Sequence, residues 1–142
     1  MGEVRDEATG LFSRAFFDAE LERLSRARGV NVGIVVCDVE PSDKTTESFN
    51  VEAEFTGILK SSFRESDVVA KLSTNEFGVI IEDVTEDTVV KATERLLKKV
   101  ESYNSKNVER KISVYANWSM SGNFFGDARK TFEKLHSSRN KH

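Results

Sequence analysis

The stretch "VNVGIVVCDV", residues 30 to 39, constrains the chain more than any other. Its apolar residues are consecutive rather than alternating, rich in Val and Ile, and the run is short, which is the pattern of a strand buried among other elements. Asp38 marks its expected end. Helical spacing flanks it on both sides. "SRAFFDAELERLSRARG" places Phe17, Leu21 and Leu24 on one face, with Ser13 as a cap and Gly29 as a stop, and Val51, Phe55, Ile58 and Leu59 recur in the same way up to about Phe63. "DVVAKL" and "FGVIIEDV" around "STNE" read as a hairpin over residues 68 to 83, although its turn lacks glycine. A third helix is expected from a Thr85 cap through Val89, Ala92, Leu96, Leu97 and Val100 to about Tyr103, with Lys98 and Lys99 suiting its negative end. "RKISVYANWSM" reads as another strand and "DARKTFEKLHSS" as a closing helix. The fold class is therefore α/β (α+β), a sheet covered by helices.

Composition sets the outer limits. A chain of 142 residues, 38% hydrophobic and 32% charged, suits one domain with one core. One proline and the lack of a Gly/Ser-rich stretch argue against an internal linker. The net charge of -3 gives no broad basic field for nucleic acid or an anionic membrane, although "KLHSSRNKH" is locally basic. No apolar stretch approaches bilayer length. The lone Cys37 excludes an intrachain disulfide and fits a reducing cytoplasm, where it reads as a buried strand residue. His136 and His142 lack a Cys or carboxylate cluster at metal-ligand spacing, so no metal site is expected.

In order and content, "DEATGLFSRAFF", "VGIVVCDVE", "RESDVVAKLSTNEFGVII", "ATERLLKKV", "KISVYANWS" and "SSRN" resemble the GGDEF family of diguanylate cyclase domains over nearly the whole chain. Asp6, Thr9, Gly10, Leu11 and Arg14 match the family's opening segment, with Ala8 and Ser13 as departures. The resemblance implies a single GGDEF-like domain over residues 1–142, excised from a larger multidomain signalling protein, with a central mixed sheet surrounded by helices, akin to nucleotide cyclases and polymerase palms.

Active relatives bind GTP with divalent metal and pair two domains to make cyclic di-GMP, chemistry that needs carboxylates around the metal. Asp38 matches the family's first metal ligand. In the signature hairpin, here Ser73, Thr74, Asn75, Glu76 and Phe77, the two glycines are replaced, the third-position acid has become an amide, and Glu76 is retained. An amide offers an oxygen but no charge, and the new side chains fill space that glycine would leave to the nucleotide. The Phe-Lys and Asn-Asp elements after the first strand have no match in the shortened "DVEPSDKTTESFN". Near the C-terminus the phosphate-binding Lys has become Leu135, while Arg139 remains. The implied outcome is loss of catalysis, with no cofactor and with magnesium relevant only if GTP still binds.

The family's product-inhibition motif is kept. Arg64, Glu65, Ser66 and Asp67 form Arg-x-x-Asp at the family's distance before Ser73, and Arg95 in "ATERLL" matches its second arginine. An arginine fork suits guanine O6 and N7 or a phosphate, and a carboxylate suits guanine N1 and N2 hydrogens. The expected function is thus an inactive GGDEF-type signalling domain that acts as a cyclic di-GMP receptor through Arg64, Asp67 and Arg95, as a homodimer or with attached sensory or output domains. The alternatives are a protein-interaction or dimerisation module that binds no nucleotide, and a GTP-binding or weakly active cyclase using Asp38, Asn75 and Glu76. Trp118 and the phenylalanines read as core.

Overall fold

The computed structural model describes residues 4 to 27, 29 to 122 and 127 to 138. Its elements run α1 (Arg14–Arg26), β1 (Val32–Pro41), α2 (Val51–Ser62), β2 (Val68–Ser73), β3 (Glu76–Glu82), α3 (Glu86–Lys106), β4 (Ile112–Ser121) and α4 (Ala128–Ser138), with a single 3-10 turn at Val108–Arg110 before β4. Capping residues fix the helix starts: Ser13, Asn50 and Thr85 each accept a backbone N–H from the first turn of their helix. The cap at Asn50 carried no signal in the sequence reading, whereas those at Ser13 and Thr85 did.

The sheet order is β2-β3-β1-β4. Every pairing among the four strands is antiparallel, where a mixed sheet was expected; among the described residues parallel pairing is confined to one bridge between Phe12 and Ala70. The reason is the split of each strand-helix-strand unit. β1 and β2, joined through α2, are separated by β3, and β3 and β4, joined through α3, are separated by β1. Each slot is filled by a strand of opposite direction, as in ferredoxin-like arrangements.

β1 also runs past Asp38 to Pro41. Its pairing with β3 stops at Asp38 opposite Glu76, but β4 continues alongside as far as Ile112 opposite Pro41. One neighbour is enough to keep the strand extended, and the proline sits where β3 no longer flanks it.

Alternation along β1 divides the core in two. Val35, Cys37 and Val39 face α2 and α3 with Phe55, Leu59, Phe77, Val89 and Leu96, while Ile34 and Val36 face α1 and α4 with Phe17, Leu21, Phe132 and Leu135. Burial pushes the Cys37 thiol up to about 12, so it behaves as a small apolar side chain. Trp118 packs partly buried against the first cluster.

Gly33 of β1 packs tightly against α3: a Cβ there would stand 2.3 Å from Val89 Cγ2. Gly33→Ala should therefore force the helix outward and cost about 1–3 kcal/mol, read as a lower urea midpoint at unchanged m-value; an unchanged midpoint would show that α3 yields without strain.

Candidate functional site

The signature hairpin closes through Thr74 and Asn75, and Asn75 takes φ 60°. Asparagine tolerates this left-handed conformation better than most residues, which explains how a turn without glycine forms. Ser73 and Thr74 are exposed, and Asn75 is half-buried. Its backbone is held on both sides: the carbonyl accepts from Val39 N–H at 3.0 Å, and the N–H donates to Glu52 Oε2 at 2.6 Å. Glu52 belongs to the first turn of α2 and also meets Lys71 Nζ at 2.9 Å, with about a fifth of each side chain exposed. A carboxylate of the chain itself thus sits against the turn.

Asp38 and Glu76 are register partners on β1 and β3, on the sheet face covered by α1 and α4. Glu76 is buried, and its Oε1 lies 2.8 Å from His136 Nε2 of α4. His136 stacks on Phe132 at 5.1 Å between centroids. Burial holds the imidazole below its usual 6.5, the Arg14 guanidinium adds to this, and Asp38 and Asp18 partly offset it. A neutral imidazole in this position can donate its Nε2 hydrogen to Glu76. Leu135 of the same helix is buried in the second core cluster, so the position where a phosphate lysine was sought serves packing. Phe77, fully buried, packs edge-to-face on Phe55 at 5.4 Å.

This donor set fits a metal-triphosphate poorly. Asn75 offers an uncharged amide where the resemblance implied an acid, Glu76 faces an imidazole, and Glu52 brings negative charge to the turn. Among the described residues no group of three or more His, Cys, Asp or Glu side chains is placed to hold a metal ion. Arg139, Asn140 and His142 lie outside the described residues.

Arg64 and Asp67 are brought together elsewhere. The chain leaves α2 through Phe63 and turns, with Asp67 N–H bonded to Arg64 O at 3.0 Å and Asp67 Oδ2 accepting from Arg64 N–H at 2.9 Å. The carboxylate orders the loop, leaving the exposed Arg64 side chain at the lip of a cleft of about 510 Å³. Arg5 and Phe12 also line this cleft, and Lys60 joins from α2. That volume lies within the roughly 300–1,000 Å³ of small-molecule sites.

Arg95 is not in this cleft. It lines a neighbouring depression on α3, and its guanidinium donates from Nε and Nη2 to Ser62 O at 3.0 and 2.7 Å. Lys99 Nζ bonds Ser61 O beside it. Two cations from α3 therefore satisfy carbonyls at the C-terminus of α2, the negative end of that helix.

The segment before α1 is built as a strap. Asp6 Oδ2 accepts from Thr9 N–H at 2.9 Å and Thr9 Oγ1–H at 2.7 Å, Gly10 takes φ +74°, and Lys60 Nζ donates to Thr9 O at 3.2 Å. Phe12 then pairs with the β2 edge through Val69 O and Lys71 N–H, both at 3.0 Å. Sequence reading placed Asp6, Thr9, Gly10 and Leu11 in a family motif but assigned no function to Arg5, Lys60, Glu52 or the Glu76–His136 contact. Glu52 and Lys71 are 19 residues apart, and Glu76 and His136 are 60 apart, so no local spacing links them.

A family model described as "Diguanylate cyclase, GGDEF domain" matches residues 3–140. The probable diguanylate cyclase DgcT of Escherichia coli K12 is 25% identical over 115 residues, which is 76% of this chain and 25% of that protein. The chain thus spans about a quarter of that relative's length. Among solved structures, the GGDEF domain of DgcB from Caulobacter crescentus in complex with c-di-GMP superposes with a TM-score of 0.77 at 17% identity, covering 100% of this chain and 94% of that one. The FimX GGDEF domain from Pseudomonas aeruginosa gives 0.73 at 18% identity, covering 96% and 91%. At these identities the superpositions speak for the fold. No helix among the described residues is long and apolar enough to cross a membrane.

The strap carries a pH signature. The Thr9 hydroxyl, and to a smaller extent its N–H, hold Asp6 below its ordinary 3.8 against the opposing effect of burial. A carboxylate depressed in the folded state contributes stability above its unfolded pKa and loses it as pH falls through the lower folded value. Acid titration should therefore weaken the strap below about pH 4, and Asp6→Asn should flatten that dependence; parallel curves for the two proteins would deny Asp6 this role.

Proposed function

The chain belongs to the GGDEF family, and on that premise we propose that this domain is a catalytically inactive member that binds cyclic di-GMP through Arg64, Asp67 and Arg95. The observation that carries the proposal is the contrast between two places. At the hairpin, Asn75 and Glu76 are engaged by Glu52 and His136 from within the chain, while Arg64 and Asp67 stand on the lip of an open cleft. The DgcB complex supports the choice of ligand.

Arg64 contributes a fork for guanine O6 and N7 or for a phosphate oxygen. Asp67 keeps one oxygen on Arg64 N–H and offers the other to guanine N1 and N2 hydrogens. Arg95 supplies the second guanidinium by leaving Ser62 O, so binding exchanges a helix-end contact for a ligand contact. Two arginines offset the two negative charges of the dinucleotide. Signal transfer follows from association: a ligand that links two domains stabilises the linked state by mass action. Magnesium has a place only if GTP binds at Asp38 and Glu76, where the donor set is weak.

A second reading has its own support. Asp67 and Arg95 are both bonded to backbone already, as in a loop and a helix end that need them for structure alone. In that case the domain is a protein-interaction or dimerisation module without nucleotide.

Calorimetry with cyclic di-GMP separates the two. The receptor reading expects micromolar or tighter binding, weakened at least about tenfold in Arg64→Ala and in Asp67→Ala. Arg95→Ala should lose affinity comparably, whereas a lower melting temperature with unchanged affinity would make it a helix-end residue only. No binding by the wild type refutes the receptor. Incubation with GTP and magnesium should yield no cyclic di-GMP, and accumulation of product would overturn the inactive assignment.

A further inference from the structure

The cleft that holds Arg64 and Asp67 is also lined by Arg5, Gly10, Leu11 and Phe12 of the strap before α1, outside the motif. Arg5 lies with its guanidinium carbon 3.9 Å over the Phe12 ring and donates Nη1 to Gly10 O at 3.1 Å. Lys60 projects from the last turns of α2 and reaches Thr9 O. Together with Arg64 they set three cations against Glu65 and Asp67 around one cleft, in a chain whose net charge is -3. Such local positive charge suits an anionic ligand. A guanidinium stacked on one ring can stack on a second through its opposite face, and it keeps several N–H donors for phosphate.

Resting on the receptor reading, we propose that Arg5 and Lys60 complete the cyclic dinucleotide site, Arg5 as a ligand-stacking and phosphate-contacting residue, and that occupancy clamps residues 4 to 12 onto the β2 edge. The strap is thereby the segment that reports occupancy. Its closure depends on the bonds from Gly10 N–H to Asp6 O, from Leu11 N–H to Thr9 Oγ1 and from Phe12 N–H to Val69 O. With Arg5 contacting ligand from the strap and Lys60 and Arg64 from the end of α2 and the loop after it, opening the strap requires giving up the Arg5 contact. The coupling needs no change in the sheet or in α1.

The test combines titration with amide hydrogen exchange on the whole chain, using cyclic di-GMP as the probe. Arg5→Ala should bind at least about tenfold more weakly, Lys60→Ala should lose less, and Arg5→Lys, which keeps charge but not the flat fork, should fall between wild type and Arg5→Ala. With ligand at one hundred times Kd, the Gly10, Leu11 and Phe12 amides of the wild type should slow by up to about 100-fold, the limit when opening requires release. At the same multiple of its own Kd, Arg5→Ala should leave them near their free rates. Thermal melts of the free variants show whether each remains folded; should Arg5→Ala fail to fold, Arg5→Lys and Lys60→Ala carry the test. Wild-type binding with Arg5 and Lys60 variants within threefold and unaltered strap exchange would overturn this inference alone. Absence of wild-type binding would overturn the receptor reading, and this inference with it.

Discussion

The structure depends on β1 being buried on both faces and hydrogen-bonded on both edges over Val32–Asp38, with β3 on one side and β4 on the other. A strand with no side open to water must be apolar at consecutive positions, which accounts for the unbroken run of Val and Ile. It must also be covered by helices above and below, which fixes α2 and α3 to one face and α1 and α4 to the other. Where β1 leaves its β3 neighbour, Asp38 and Glu76 meet at the end of the pairing. The two carboxylates thus stand where the double burial ends.

At that place the polar groups of the hairpin meet partners from within the chain. Glu52 ties the hairpin turn to α2 and to Lys71, His136 covers Glu76 from α4, and Leu135 serves the core. These contacts join the hairpin to α2 and α4 across long stretches of sequence. The cleft at the far end of α2 differs in kind. Asp67 orders its loop through backbone, Arg95 and Lys99 hold the helix end, and strap residues line the cleft. One helix therefore connects both places: its first turn closes the hairpin site and its last turn opens into the cleft.

Element order and core faces were legible because periodicity is local. Phe17, Leu21 and Leu24 repeat at helical spacing, and the Ser13 and Thr85 caps stand one residue before their helices. The antiparallel sheet was not legible, since strand order is set by which slot each crossover leaves and not by any single strand. Arg64 and Asp67 were singled out by the resemblance to a family motif, and they share a cleft. Arg95 matched by motif, yet its observed partner is the Ser62 carbonyl, a contact 33 residues distant that motif spacing does not encode. The Glu76–His136 and Glu52–Asn75 contacts escaped for the same reason: they arise from packing between elements remote in sequence.

The central claim is that ligand recognition has left the hairpin and resides in the cleft between the strap and the end of α2. A nuclear magnetic resonance titration of backbone amides with cyclic di-GMP tests it most directly. The account predicts shifts concentrated at residues 5 to 12 and 60 to 69, extending to Arg95, with Asp38, Glu52 and residues 73 to 77 unmoved. Shifts centred on Asp38 and the hairpin, with the strap and Arg64 unaffected, would contradict it.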